Sequence, residues 1–414
     1  MRAFTHFNRT LVISLAIFLT LVGLINLAVD PYRVWDFISL RHFNAAKPEA
    51  DSMEEMFKPI AMTRIKPQVL FLGSSRVVFG LNPASPELSG LGSAYNLGLP
   101  GGNLHAIRRN FEHALYNDSH IRMVFLGLDF FTFSTANELP PPSYRDDRLN
   151  RHGISPHDAI ITLFTMDALL ASLQTIISNL RSPDYQGYYP NGMFTAIDMR
   201  HQVEREGMPR RARLSLAMYL GKHHLGGFVL SQAAFTELSQ IVALAHKHHV
   251  RLIVFINPVH AVLLEAIRAT GNWNNYLHWR QRLAAITAYW DFSGYNPITT
   301  EPIAFTMHYY WDISHYRAPV GDLILHCLLH GPGNGRGTWG VLVHQGDTNA
   351  RASALESQRN LWIRNNIAVT HWVAVSARTH QVSMPPKEGQ VAASIPLKQT
   401  SQVTPAAAIS SKIR

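Results

Sequence analysis

Cysteine is nearly missing from this chain. Among 414 residues there is one, Cys327. No disulfide can form within the chain, and the count neither indicates nor excludes an oxidising compartment. No Cys/His pattern has zinc-ligand spacing, and no metal or cofactor is expected. Charge is also sparse. Asp, Glu, Lys and Arg make up 16% of the residues against 47% hydrophobic, low for a purely soluble protein and ample for a buried core. The net charge is +9, but the basic residues are scattered and no nucleic-acid motif accompanies them. That argues against a nucleic-acid partner and leaves anionic lipid or an acidic polymer. No internal repeat is present.

Histidine, by contrast, is plentiful, at 22 residues. The run His246-Lys247-His248-His249 falls at an expected helix end, where cationic side chains meet free carbonyls and the negative end of the helix dipole. Helix capping therefore explains it better than metal binding.

Leu11 to Val29 is an almost unbroken apolar run whose clearly polar members are Ser14, Thr20 and Asn26. It has the ~20-residue length that crosses a bilayer. Arg2 and Arg9 precede it. By the positive-inside rule the N-terminus is cytoplasmic and everything after Val29 is extracytoplasmic, the periplasmic side. The run is longer than a usual signal-peptide core and no Ala-x-Ala site follows, so an uncleaved signal anchor is expected.

Residues 30–66 read as a juxtamembrane connector. Val69-Leu70-Phe71-Leu72 is a buried strand that Gly73-Ser74-Ser75 ends abruptly. A strand ending this way puts a hydroxyl at the C-terminal edge of a sheet, where open α/β folds bind ligands. A second extended stretch covers Ala94 to Gly101. Asn103 is a good N-cap for a helix with Leu104, Ile107, Phe111 and Leu115 on one face. Met123 to Asp129 is the next buried strand. This order predicts an α/β fold with a parallel sheet covered by helices.

Residues 133–230 interrupt the rhythm as a mostly helical insertion. Pro140-Pro141-Pro142 is a loop. Ser155 and Pro156 start a helix running to about Leu180. An aromatic stretch, Tyr185 to Phe194, is expected to pack under a lid or to shape a sugar-binding groove. The α/β rhythm resumes with a helix after Ser231 and a strand, Arg251 to Asn257, stopped by Pro258. Helices follow at Ala261–Ala269, Leu277–Tyr289 and Val320–Leu329. Gly331-Pro332-Gly333-Asn334-Gly335 reads as a linker. Residues 331–374 are expected to be linker plus one possible helix near 351–366, and 375–414 a disordered tail.

Three features then stand in a telling order: Ser75 after the first strand, Asn96-x-Gly98-x-x-Gly101 after the second, and Asp312-x-x-His315 before the last helix of the 67–330 domain. Together they resemble the SGNH/GDSL hydrolase superfamily. More narrowly they resemble its membrane-anchored branch linked to O-acetylation of cell-surface polysaccharides, such as the alginate O-acetylation proteins. Val29-Asp30-Pro31-Tyr32 is similar to that branch too. The resemblance covers about residues 30–330 and implies a three-layer α/β/α, flavodoxin-like domain.

It further implies that Ser75 is the nucleophile, with Ser74 in the Asp position of a Gly-Asp-Ser block. His315 would be the general base and Asp312 would orient it. Gly98 would supply an oxyanion-hole N–H beside that of Ser75, and Asn96, Asp129 and Arg76 complete the expected substrate-binding set. The family's third donor is usually an Asn in a Gly-x-Asn-Asp block, whereas this chain reads Gly127-Leu128-Asp129. An ionised Asp129 accepts and cannot donate. Either Asn96 or Asn103 supplies the third donor, or the hole has two. The implied activity is a serine O-acetyltransferase or acetylesterase acting on a surface polysaccharide, with a multi-pass membrane protein as possible acyl donor. The readings set against it are a glycan-binding or assembly component on the same fold and a membrane-tethered α/β domain with another ligand.

Overall fold

The computed structural model describes residues 2–140, 144–150, 152–332 and 339–382. Its sheet starts from the expected strand. β1 (Val69–Leu72) is buried along its whole length. Leu70 and Leu72 join one hydrophobic cluster with Val124, Leu126, Val254 and Ile256. Val69 and Phe71 join another with Met123, Phe125, Ile253 and Phe255. Successive strand side chains point to opposite faces, so both faces of the sheet carry a core. That is why the strands read as continuous apolar runs and not as alternation.

The other strands are β2 (Ala94–Asn96), β3 (Met123–Leu128), β4 (Arg251–Ile256), β5 (Tyr289–Asp291) and β6 (Val341–Val343). Their spatial order is β2-β1-β3-β4-β5-β6. The first five are parallel and β6 runs antiparallel to β5. The order reverses at β1, between β2 and β3, which makes the C-terminal ends of β1 and β3 the topological switch point where open α/β sheets bind ligands.

The helices α1 (Arg2–Val29), α2 (Glu54–Ile65), α3 (Ser75–Gly80) and α4 (Leu104–Asn117) come first. The insertion carries α5 (Pro156–Leu163), α6 (Met166–Arg181) and α7 (Ile197–Leu220). After it come α8 (Gln232–Lys247), α9 (Ala261–Ala269), α10 (Trp273–Ile286), α11 (Ala318–His330), α12 (Thr348–Ile363) and α13 (Ile367–Val382). The caps read from sequence hold: Asn103 accepts from the Ala106 N–H and Ser155 from that of Asp158.

α1 is long and apolar enough to cross a membrane. Residues 4–21 are exposed, while Val22, Gly23, Asn26 and Val29 are buried against the rest of the protein. The Asn26 side chain donates to the Leu163 carbonyl (2.8 Å) and accepts from Ser172 Oγ (2.8 Å). The free carbonyls at the end of α1 also find partners. Asn44 Nδ2 donates to those of Ala28 and Val29, and Lys47 Nζ to those of Val29 and Asp30. At any helix end four carbonyls lack a partner within the helix itself.

Several expectations need correction. The helix expected from Pro156 to about Leu180 is two helices, α5 and α6, bent by 59°. Thr165 breaks it by capping α6 through the Ala168 N–H. The helix expected at Leu277–Tyr289 ends at Ile286, and Tyr289 opens β5. The helix expected near 351–366 is α12, but residues 341–382 as a whole are part of the fold and not linker and tail. β6 completes the sheet, and Arg351 on α12 bonds Asp291 at the end of β5 (2.5 Å). α13 packs on α9 and α7. α13 buries Val373 and Ala377, too few positions to leave a clear period in the sequence. Pro141, Pro142, Gly333-Asn334-Gly335 and residues 383–414 lie outside the described residues.

Candidate active site

Gly73 lets the chain turn sharply after β1. Its φ is +148°, and a Cβ there would lie 2.6 Å from Val77 Cγ2 and 2.7 Å from the Gly127 carbonyl oxygen. Only glycine fits. Ser74 then caps α3 by accepting from the Arg76 N–H, and Ser75 is the first residue of that helix. A helix leaves its first N–H groups without internal acceptors, so the Ser75 hydroxyl and N–H both emerge at the switch point.

His315 arrives from a loop 240 residues later. Tyr310 and Tyr316 form an antiparallel bridge, and the Trp311 N–H donates to the His315 carbonyl at 2.8 Å. Asp312 shapes the turn. Its Oδ1 accepts from the N–H groups of Ser314 (2.6 Å) and His315 (2.8 Å). Its Oδ2 lies 2.8 Å from His315 Nδ1, and His315 Nε2 lies 2.9 Å from Ser75 Oγ. Burial pushes the Asp312 carboxyl pKa up, but His315 and the two N–H donors outweigh it and hold the group down at about 2. As a carboxylate it can only accept, so Nδ1 must carry the proton. Nε2 of a neutral ring then accepts from the Ser75 hydroxyl. The three residues that the resemblance implied as a set are thus brought together in the order serine, histidine, aspartate.

The remaining expected residues are engaged elsewhere. Asn96 donates from Nδ2 to the carbonyls of Val77 (2.8 Å) and Leu81 (2.9 Å), and its Oδ1 accepts from the Gly98 N–H (3.1 Å). The expected Gly98 donor is therefore engaged internally, and Asn96 is no oxyanion donor. Asn103 spends its amide on the Glu138 carbonyl. Asp129 and Arg76, expected at substrate, are buried and ion-paired with each other. The reason in each case is burial, since a buried polar group must find an internal partner.

That pair anchors a network that sequence reasoning missed. Asp129 also accepts from Ser74 Oγ and from Asn257 Nδ2 (3.1 Å). Arg76 Nε donates to Ser314 Oγ (3.0 Å), which lies 2.7 Å from the Tyr219 hydroxyl. Tyr316 donates to Asn257 Oδ1 (2.9 Å). The ends of β1, β3 and β4 are thereby tied to the loop that carries Asp312 and His315. The polar residues Asp129 and Asn257 at two apolar strand ends were the available signal. Lys58 was missed as well. It is fully buried on α2 and donates to the Gly98 carbonyl at 2.6 Å. Burial pulls its ammonium pKa well down, against the opposing effect of Glu54.

A groove of about 810 Å³ opens beside the triad, lined by Phe79, Tyr189, Phe194, Arg200, Trp311 and Arg317 among others. Ser75 itself is not in its lining. Phe79 joins the two places, packing on the His315 ring at 4.8 Å and on Phe194 at 4.8 Å. The aromatic stretch Tyr185 to Phe194 divides between groove wall and core. Tyr189 and Phe194 line the groove, whereas Tyr188 is buried with its hydroxyl on Glu54 (2.7 Å).

Among the described residues one group could hold a metal ion, Glu87 with His326 and His330 on α11, their ligand atoms within 4.8 Å of one another. It shares no residue with the triad.

No protein-family model matches the chain, and no curated protein matches it with significance.

Proposed function

We propose that the chain is a membrane-anchored, extracytoplasmic serine acyltransferase or esterase of the SGNH type, with a three-layer α/β/α domain, that moves or removes acetyl groups on a cell-surface polysaccharide. The observation that carries the reading is the continuous Ser75–His315–Asp312 hydrogen-bonded chain at the switch point of the sheet. The groove with its aromatic and arginine walls suits a sugar polymer, because sugar rings stack on aromatic faces. The packed end of α1 supports an anchor that stays in place. Cleavage before Asp30 would strip Asn26 from Ser172 and leave the Leu163 carbonyl without its donor.

The chemistry balances as follows. His315 Nε2 takes the Ser75 proton as Oγ bonds to the acyl carbon. The tetrahedral intermediate collapses, the ester C–O bond breaks, and His315 returns the proton to the leaving alcohol. Water or a sugar hydroxyl then attacks the acyl-serine, giving its proton to His315, which passes it to Ser75 as the ester opens. Asp312 keeps its charge throughout and holds the ring in the productive tautomer.

The test uses the full chain in detergent micelles, with aryl acetate turnover and labelling by a fluorophosphonate. Ser75→Ala should abolish labelling and lower turnover by at least ~10⁴-fold with circular dichroism unchanged. Unchanged turnover and labelling would rule out the assigned nucleophile. A glycan-binding component without turnover is the second reading, favoured by the engagement of the Gly98 N–H with Asn96. Removing one oxyanion donor costs roughly 10²–10³ in rate. Polysaccharide binding that survives Ser75→Ala, in a parent protein that neither labels nor turns over, would establish that reading instead.

A further inference from the structure

α6 is built inside out. The positions it buries are Ala168, Ala171, Ser172, Thr175 and Asn179, all small or polar. The positions it exposes are Met166, Leu170, Leu173, Ile177 and Leu180, with Leu180 66% exposed. Their spacing of four, three, four and three places them in one stripe along the helix. A surface helix of a water-soluble domain shows the opposite polarity. Small and polar residues at a helix contact, with large apolar ones turned outward, is the pattern of helices surrounded by lipid. A third stripe, Asp167, Gln174 and Arg181, is exposed and polar. One apolar face beside one polar edge suits a helix lying in the plane of a membrane interface.

The position of this bent pair of helices fits that role. α5 and α6 clasp the last two turns of α1. A Cβ on Gly23 would meet the Phe164 ring at 2.7 Å, and Asn26 is bonded to Leu163 and Ser172. The exposed part of α1, residues 4–21, is roughly 27 Å long at 1.5 Å per residue. That is close to the ~30 Å hydrocarbon thickness of a bilayer. With α1 spanning, α5 and α6, which meet it at Gly23 and Asn26, lie at the level where its exposed stretch ends. Ile160 and Phe164 on the α5 side, and Phe37, Ile38 and Leu40 just past α1, extend the apolar surface. The bent pair is also firmly held. Arg148 forms a two-pronged buried ion pair with Asp158 (2.8 and 3.0 Å), and Trp35 Nε1 donates to Thr162 Oγ1 (3.2 Å).

We propose that α5 and α6 form a second membrane-seated element whose Met166–Leu180 stripe is covered by phospholipid acyl chains, so that the protein rests on the membrane as well as being tethered to it. This rests on the reading of α1 as a membrane span. Lipid is favoured over a protein partner because α5 and α6 both pack on α1, and a bilayer holding the exposed residues 4–21 of α1 ends where Gly23 and Asn26 meet this pair of helices.

The experiment places nitroxide labels on the full chain in nanodiscs of phosphatidylcholine and phosphatidylglycerol. The sole native cysteine, Cys327, is buried, and the parent protein gives the background. Labels at Leu173→Cys and Ile177→Cys should be relaxed strongly by oxygen and weakly by a water-soluble nickel chelate. A label at Gln174→Cys should show the reverse. Leu15→Cys, in the middle of α1, separates the two ideas. Nickel access at Leu173 and Ile177 with Leu15 shielded overturns the proposal for α5 and α6 alone. Nickel access at Leu15 as well overturns the anchor on which it rests. Labels that are nickel-accessible in nanodiscs, but shielded from both reagents in native membranes, would mean that a protein covers the stripe and would also overturn the lipid assignment.

Discussion

Asp312 ties the proposed chemistry to the stability of its own loop. Its carboxyl pKa is about 2 in the folded protein, against roughly 3.9 in an unfolded chain. Between those values the unfolded state binds the proton more tightly. The stabilisation is therefore fully present above about pH 4 and is lost as pH falls through about 2. The linked contribution is on the order of 2 kcal/mol. Asp312→Asn should flatten the stability curve between pH 4 and 2, measured by thermal melts of the full chain in detergent. At neutral pH the variant should lose roughly 10³–10⁴-fold in turnover, because an amide can hold the ring in the wrong tautomer. A full acid-stability limb in the variant would move the linkage to another group. Ser75, Asp312 and His315 were legible because each sits in a short local pattern at an element end. Asp129, Arg76 and Asn96 were misread because their partners lie in other elements. Sequence shows a polar residue at a strand end, not whether it faces substrate or a buried arginine.

Among the elements, long apolar runs were legible and short or weakly patterned ones were not. β1, β3 and β4 declare themselves because both faces of the sheet are buried. β5 and β6 have three residues each, too short for any period, and the first residue of the former, Tyr289, was given to the helix before it. What fixes this edge is electrostatic. Asp291 at the end of β5 is buried between Arg280 on α10 and Arg351 on α12, each 2.5 Å from its Oδ2. Burial pushes the Asp291 carboxyl pKa up, yet the two arginines outweigh it and hold the group far below its usual range. Arg351 also donates to the Ser293 carbonyl at 2.7 Å. Arg351→Met removes one of the two arginines and leaves that carbonyl unmet. Chemical denaturation of the full chain should show a loss of about 2–4 kcal/mol. Turnover by the folded fraction should stay near that of the parent, since Arg351 bonds β5 and the loop after it and touches no triad residue. A loss below ~0.5 kcal/mol would mean that α12 is held by its apolar contacts alone.

Across the whole molecule, what sets the triad geometry is the convergence of strand ends. Ser75 opens α3 just after β1, whereas Asp312 and His315 belong to a loop more than 200 residues away. The link between them runs through the buried Arg76–Asp129 pair, with Ser74 and Asn257 on one side and Ser314 and Tyr219 on the other. Stability and positioning can be separated here. Asp129→Leu leaves the Arg76 charge buried without its partner and should cost about 3–5 kcal/mol. Adding Arg76→Met removes that stranded charge. Buried ion pairs replaced as a whole by apolar groups are often near neutral, so the double variant should recover most of the lost stability. It should not recover activity. Without the Arg76 donor, Ser314 keeps only Tyr219 as a side-chain partner, and the loop is free to shift His315 relative to Ser75. A shift of ~1 Å costs roughly 10²-fold in rate. The double variant should therefore melt close to the parent, bind glycan unchanged and lose about 10²-fold in kcat with little change in KM. Full activity in a stable double variant would mean that the sheet and the Tyr310–Tyr316 bridge alone set the triad, and that the ion pair serves only to let two buried charges coexist.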